Sequence, residues 1–268
     1  MLTNPWQLYD DLIDLVPDDV SVTRVLLGRV ALVENSVGGV GTASNDRGGC
    51  RERVASRNII GKPLRDIAAL VKSWDFELAS LGVAALNSWL NSSEHLAALA
   101  AESAVTIEQS DANIFDTHPE EFAGKKVALI GHFSQGIKAL SPFADLTVIE
   151  RDPRATDLPD SASEYVLPEM DAVFITGMTV ANKTLPRLLD LAAAAQVYLV
   201  GPSVPCAPEV FGSRVQHIAT SRVTDADLAF ELGSIGARTP EMRPATVRFQ
   251  LVATTAVLLP IEAPRPVS

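Results

Sequence analysis

Apolar residues recur at helical spacing near the start of the chain. Trp6, Leu8, Tyr9, Leu12, Ile13 and Leu15 share a face, and Pro17 with Asp18 stops the helix. The period then changes. Val22 to Leu27 and Val30 to Val33 are short β-rich runs around Gly28 and Arg29, which predicts two strands joined by a hairpin turn. The second run passes through Glu34, Asn35 and Ser36 into Gly38, Gly39, Val40 and Gly41. After Pro63, the pattern predicts helices over Leu64 to Trp74, Glu77 to Leu90 and Ser93 to Glu102. A hairpin followed by helices is an α+β pattern.

The polar stretch Asn113 to Gly124, which contains Pro119, marks a change of regime. Beyond it, Lys126 to Ile130, Leu146 to Ile149, Ala172 to Thr176 and Val197 to Val200 read as strands. Helical stretches from Ser134, around Ser161 and from Thr184 to Ala194 separate them. Continuous apolar strands alternating with helices predict a parallel sheet with right-handed crossovers. The expected organisation is therefore an α+β domain over residues 1–112, a Rossmann-like α/β domain over 113–240, and a tail over 241–268. In that tail, Val247 to Leu259 reads as a strand or a terminal arm. No internal repeat is present.

Composition narrows the function classes. The chain has 268 residues, of which 47% are hydrophobic, which suits a buried core rather than disorder. Its net charge of −11 disfavours nucleic acid or an anionic membrane as the main partner, since both require a cationic footprint. The only cysteines, Cys50 and Cys206, lie far apart in sequence, so neither a disulfide framework nor a cysteine-rich zinc site is expected. The first residues lack a basic-then-apolar leader pattern, and no uncharged apolar run approaches the ~20 residues of a membrane span. A soluble cytoplasmic protein is the expectation.

The ends of the predicted strands carry the chemistry. The first runs into Gly131, His132, Phe133 and Ser134, and the second into Glu150, Arg151 and Asp152. The third runs into Thr176, Gly177 and Met178, and the fourth into Gly201, Pro202 and Ser203. In an open parallel sheet these carboxyl ends share one edge, and ligands bind in the crevice beside it.

Gly131 and Gly136 stand at the outer positions of a G-x-G-x-x-G fingerprint, but Phe133 occupies the middle glycine. A bulky side chain there keeps the backbone from a pyrophosphate and argues against ordinary dinucleotide binding. Glu150 lies roughly where an acid reaches a ribose, ~20 residues beyond the turn. The pair admits a nucleoside-like ligand. It also reads as a plain strand-to-helix turn and a solvated strand cap, and both readings stand.

The segment Gly38 to Gly41 has the composition of an anion-cradling loop or of a flexible hairpin exit. His132, at the ligand edge, is the candidate catalytic group or metal ligand; a hydrogen-bonded, non-catalytic histidine is the plain alternative. His95, His118 and His217 have no partner at ligand spacing. Cys206 is either a soft metal ligand or a buried thiol. Metalloprotease, nucleophile-elbow, P-loop and kinase motifs are absent from the sequence.

Six segments, taken together, resemble one known family. They are ENSVGGVGTA from Glu34, LGVAALNSWLN from Leu81, GKKVALIGHF from Gly124, VIERDP from Val148, LPEMDAVFITGMTVANKTL from Leu167 and VGPSVPCAPEVF from Val200. In order and spacing they are similar to the heavy-metal chelation family, domain-of-unknown-function families 364 and 4213, over Tyr9 to Gly236. The resemblance implies an enolase-N-terminal-like first domain, a Rossmann-like second domain, and a site between them for a transition or heavy metal ion or a metal-related cofactor. Carried onto this chain, it implies Asn35, Gly38, Gly39 and Gly41 from the first domain. From the second it implies Gly131, His132, Glu150, Thr176, Gly177, Asn182, Thr184, Gly201, Pro202 and Ser203.

The expectation is thus a metal or metal-cofactor binding protein in which His132, Glu150 and Cys206 supply mixed donors. The alternative is an enzyme or binding protein for a nucleoside-like or pterin-like molecule, with His132 as an acid or base. The apolar helix Leu78 to Leu90 would also support a homodimer.

Overall fold

In the computed structural model, which describes residues 4–45, 48–50, 58–102, 105–109 and 112–253, the chain begins with α1 (Gln7–Asp14). Its Leu8, Tyr9, Leu12 and Ile13 are buried, as the spacing requires. Strands β1 (Val22–Leu27), β2 (Val30–Asn35) and β3 (Val40–Ser44) form an antiparallel meander. The third strand was not expected, because its glycines read as a loop. Instead they let the strand lie against a helix. A Cβ on Gly41 would stand 2.0 Å from the Ala84 carbonyl oxygen, and one on Gly39 would stand 2.2 Å from that of Ser88.

That helix is α3 (Phe76–Leu90), preceded by α2 (Leu64–Ala68) and a 3-10 turn over Ala69–Lys72. The expected single helix to Trp74 therefore ends early: Ser73 is extended, and Asp75 caps α3 by accepting from the Glu77 N–H. Helix α3 is buried on nearly every side within its own chain, so the length of apolar helix that invited a dimer is spent on the internal core. α4 (Ser93–Glu102) and β4 (Val105–Gln109) follow.

The second half supplies β5 (Lys126–Ile130), α5 (Ser134–Leu140), β6 (Asp145–Glu150), β7 (Leu158–Pro159), α6 (Ser163–Val166) and β8 (Ala172–Thr176). It continues with α7 (Met178–Ala181), α8 (Leu185–Leu191), β9 (Gln196–Val200), α9 (Pro208–Phe211), β10 (His217–Val223), α10 (Ala226–Ser234) and β11 (Thr246–Ala253). One eight-stranded sheet results, ordered β4-β11-β10-β9-β8-β5-β6-β7. β10 through β7 are parallel, whereas β11 and β4 close the other edge antiparallel.

The direction of winding reverses between β5 and β8, the switch point at which α/β sheets open a crevice. Residues alternate across the sheet. Ala128, Ile130, Val173, Ile175, Val197 and Leu199 join the main core, and Val127, Leu129, Phe174 and Tyr198 join a second core on the other face. Burial on both faces explains why these strands read as unbroken apolar runs. The tail segment, open in the sequence between strand and arm, is a strand through Ala253; its continuation to Leu259 lies outside the described residues.

The two halves interlock. β4 from the first half pairs with β11, while α10 and the 3-10 segment Thr239–Ala245 cover the face of β2 that carries Val30 and Leu32. At the junction, buried Asn91 donates to the Val204 and Ser221 carbonyls at 3.1 and 3.2 Å and accepts from the Cys206 N–H at 2.8 Å. Asn91→Ala would remove all three bonds, leaving the buried Cys206 N–H without its acceptor, while the Val204 carbonyl keeps only the Thr220 hydroxyl at 2.9 Å. The expected cost is roughly 2–4 kcal/mol, read as a lower urea midpoint at unchanged slope; an unaltered midpoint would show that the junction does not depend on this side chain.

Candidate functional site

The loop after β5 turns at Gly131, whose φ of 110° is in glycine's range. A Cβ there would come within 3.2 Å of the Thr176 side chain, so the loops leaving β5 and β8 sit unusually close at the switch point. Beside them opens a cavity of about 940 Å3. Gly131, His132, Glu150, Thr176, Asn182 and Thr184 line it, together with Phe133, Arg151, Lys183 and Arg187. Six of the expected ligand residues are therefore brought to one chamber.

The carboxylate of Glu150 is already engaged. Its Oε2 accepts from the His132 N–H at 2.8 Å and its Oε1 from the Arg151 N–H at 2.7 Å. A dinucleotide fold presents N–H groups of the first turn to a phosphate. Here the side chain of the next strand occupies one of them. Together with Phe133 at the middle fingerprint position, this removes the ordinary pyrophosphate cradle.

His132 has a partner that the sequence did not reveal. Its Nδ1 lies 2.8 Å from Asp157 Oδ2, which also accepts from the Arg154 N–H at 3.1 Å. The Asp157 side chain is only 5% exposed. Burial alone would raise its pKa, but the hydrogen bonds from His132 and the Arg154 amide, with the positive charge of Arg154, outweigh that and hold it below the usual carboxylate range. An ionised Asp157 accepts only, so Nδ1 carries the proton and Nε2 is left to accept or coordinate. This carboxylate–imidazole arrangement orients both metal ligands and general bases.

The first half of the chain reaches this chamber through aromatic rings. Lys183 and Arg151 both lie over Phe76, at 5.2 and 5.5 Å from the ring centre. Lys183, held at a φ of 67°, donates from Nζ to the Ser73 and Ala181 carbonyls. Such a conformation in a non-glycine residue marks a position that its surroundings over-determine.

The remaining expected residues lie elsewhere. Asn35 Oδ1 accepts from the N–H groups of Val37 and Gly39, and Asn35 Nδ2 donates to the Ser88 carbonyl. Asn35, Gly39 and Gly41 thus fasten the β2–β3 turn to α3, Gly38 supplies the turn's positive φ of 86°, and none of the four lines either described cavity. Gly177 packs against the Ser203 and Val204 backbone. Buried Ser203 accepts from the Ser44 N–H at 2.8 Å. Gly201 and Pro202 line a second cavity of about 470 Å3, which Phe133 also lines and to which Thr42 contributes from the first half.

A three-donor metal centre does not fit these residues. Cys206 is wholly buried in the main core, where burial and nearby Glu209 push its thiol pKa well up, against thiolate formation. Glu150 and Asp157 are engaged as described, and Asn182 Oδ1 accepts from Thr184. Among the described residues, no group of three or more His, Cys, Asp or Glu is placed to hold a metal ion. What the chamber does fit is one imidazole donor for a metal that brings its other ligands with it.

Sequence reasoning missed Asp157 as the partner of His132 and Lys183 as part of the chamber's lining. Asp157 lies in an acid-rich loop, RDPRATDLPD, in which no spacing singles it out. Lys183 sits inside the quoted segment VANKT, but its left-handed backbone has no sequence signature in a lysine. Among the described residues, no helix is long and apolar enough to cross a membrane.

The class is thereby defined: a parallel-dominated α/β protein with chambers at the carboxyl edge of its sheet. The chain belongs to the DUF364 family, whose model matches residues 113–250, while that of DUF4213 matches residues 9–90. Both carry the description "Putative heavy-metal chelation", which supports a metal-binding reading in coarse terms. A crystal structure of a DUF364 protein of unknown function from Desulfitobacterium hafniense is 34% identical. It superposes with a TM-score of 0.81 over 91% of this chain and 97% of that one. Another, from Pyrococcus horikoshii, shares the fold at 20% identity, with a TM-score of 0.74 over 92% and 98% of the two chains. An uncharacterized protein of Methanocaldococcus jannaschii is 33% identical over 175 residues, 63% of this chain and 64% of that protein.

The Asp157 geometry makes a signed prediction. A carboxyl whose folded-state pKa is depressed stabilises the fold above its unfolded value, near 3.9, and that contribution disappears as pH falls through the folded value. The stability gap between wild type and Asp157→Asn should therefore be full at neutral pH and shrink in strong acid. Urea unfolding across that range measures it, and a gap that widens on acidification contradicts the assignment.

Proposed function

We propose that the chain binds a small metal-bearing ligand in the chamber at the carboxyl ends of β5, β6 and β8, with His132 Nε2 as the protein's coordinating atom. The observation that carries this reading is the 2.8 Å bond from Nδ1 to a largely buried, ionised Asp157, which presents the other nitrogen to a chamber of about 940 Å3. That volume suits an organic molecule rather than a bare ion. The family description supports the metal, and the engaged carboxylates favour one that arrives with most of its coordination sphere filled.

In this reading each lining residue has a task. Glu150 fixes the loop that carries His132, Asp157 sets the tautomer, and Phe133 closes one side with an apolar ring. Lys183 and Arg151, over Phe76, place positive charge where a ligand's acidic groups would meet it.

A second reading keeps the chamber and omits the metal. The same imidazole and carboxylate would serve as a general base towards a pterin-like or nucleoside-like molecule, and the chamber's volume favours this as well.

Copper(II)–iminodiacetate, which has open coordination positions, is a suitable probe. One equivalent should bind with the electron-paramagnetic-resonance signature of a single imidazole nitrogen. His132→Ala should weaken binding at least about tenfold, whereas His118→Ala, at an exposed histidine, should not. Binding that His132→Ala leaves intact, or calorimetry showing no uptake of the complex, would remove the metal reading. A thermal shift with a free pterin or nucleoside, with no response to the copper complex, would favour the second.

A further inference from the structure

The chamber beside His132 is not uniform from end to end. His132, Glu150 and Lys183 stand at the carboxyl edge of the sheet, and other walls come from the main core. Ile130, Ile149 and Leu188 belong to that core and are at most 8% exposed, yet all three line the chamber. The chamber therefore continues past the strand ends into the space between the sheet and α8.

Helix α8 gives this inner part its direction. Thr184, Leu188 and Leu191 follow one another at spacings of four and three residues, so they share a face, and all three line the chamber. At 1.5 Å per residue that row is about 10 Å long. It starts at the Thr184 hydroxyl, which donates to Asn182 Oδ1 at 2.7 Å, and ends at an aliphatic side chain. Arg187 and Glu164 also line the chamber, but they are half-exposed and bonded to each other, Nε to Oε1 at 2.8 Å. Their charges are engaged with each other between α8 and α6, while their neighbours Leu188 and Ser163 are buried. Ser163 lines the chamber as well, and its hydroxyl forms no hydrogen bond among the described residues. A buried hydroxyl is normally bonded, so one left over beside a cavity is a place for a ligand atom.

Space walled by buried aliphatic side chains offers water few partners, and leaving it unfilled forfeits packing. We propose that the ligand of the chamber is amphipathic. Its polar, metal-bearing head sits against His132 at the edge of the sheet. A hydrocarbon arm, no longer than the ~10 Å row on α8, lies against Ile130, Ile149, Leu188 and Leu191. The head rests on the metal reading above, whereas the arm rests on the core residues alone.

Copper(II) chelates of N-methyliminodiacetate and N-hexyliminodiacetate share one donor set and differ in the arm. In calorimetry on the full chain, the hexyl chelate should bind at least about tenfold more tightly, which a few buried methylenes suffice to give. Leu191 is half-buried at the far end of the row. Leu191→Gln makes that end polar and Leu191→Trp fills it, and each should bring the two chelates to within about threefold of one another. n-Hexanol tests the arm without the metal. It should bind the wild type saturably in saturation-transfer NMR, and Leu191→Trp should abolish that binding.

Equal affinity of the two chelates for the wild type overturns the arm and leaves the metal reading standing. A hexyl gain that persists in both Leu191 variants also overturns the arm. Failure of both chelates removes the metal reading, and the arm is then decided by hexanol. Hexanol that does not bind, or that binds Leu191→Trp equally well, overturns it.

Discussion

The structure depends on amide groups buried where one would expect only hydrocarbon. Helix α3 is the centre of the molecule, and its last turns carry Asn87 and Asn91, four residues apart on one face. Asn87 Nδ2 donates to the Thr42 carbonyl in the meander and to the Pro202 carbonyl in the loop after β9, both at 2.9 Å. Asn91 ties the same helix to Val204, Cys206 and Ser221. The Asn87 Oδ1 finds no partner among the described residues. Exchanging oxygen and nitrogen would point the oxygen at two carbonyls, so the orphaned acceptor is the lesser cost. Without these bonds, the ends of β9 and β10 would have no fixed position relative to α3, and the second cavity, which takes Thr42 from one side and Pro202 from the other, would lose its shape.

The same economy of polar groups shapes the chamber at the switch point. A turn that opens a helix normally has N–H groups to offer, and nucleotide folds spend them on phosphate. Here Glu150 binds back to the His132 and Arg151 amides and makes the loop self-sufficient. The loop is fixed before any ligand arrives, which favours binding through preorganisation. The donor left over is an imidazole nitrogen. Fold class alone would have suggested a dinucleotide, whereas the residues at the strand ends argue for something else, because function lies in the site grafted onto the fold.

Much of this was legible in the sequence, for physical reasons that can be named. Lys126 to Ile130 and Ala172 to Thr176 stand as strands with the bounds their apolar runs set, since central parallel strands are buried on both faces. The gathering of Gly131, His132, Glu150 and Thr176 at one edge follows from the topology of parallel strands. Strands β4 and β10 and helix α10 were not anticipated. β10 mixes polar and apolar residues (HIATSRV), as a strand towards an antiparallel edge does, and β4 is short and half exposed. The glycines from Gly38 to Gly41 misled for a clear reason. Sequence shows that a glycine is present but not whether a ligand or a helix fills the space its missing Cβ leaves, and at Gly39 and Gly41 α3 fills it.

Asn87 and Asn91 carried a signal that went unread. An asparagine inside a long apolar helix and another four residues on at its C-cap are expensive to bury unless each finds partners. Their positions, within LGVAALNSWLN, and those of their partners, within VGPSVPCAPEVF, are two of the segments by which the chain resembles its family. What those segments share here is contact with each other. A segment can mark a family because it holds the halves of the chain together and not because it touches a ligand. Asn35, Ser203 and Cys206 are of this kind: each is buried and bonded across the junction or the turn beside it. His132 differs, because its partner Asp157 orients it towards an open chamber while its second nitrogen remains available. That asymmetry separates a residue whose polar atoms are all spent on the fold from one that keeps a nitrogen facing a cavity.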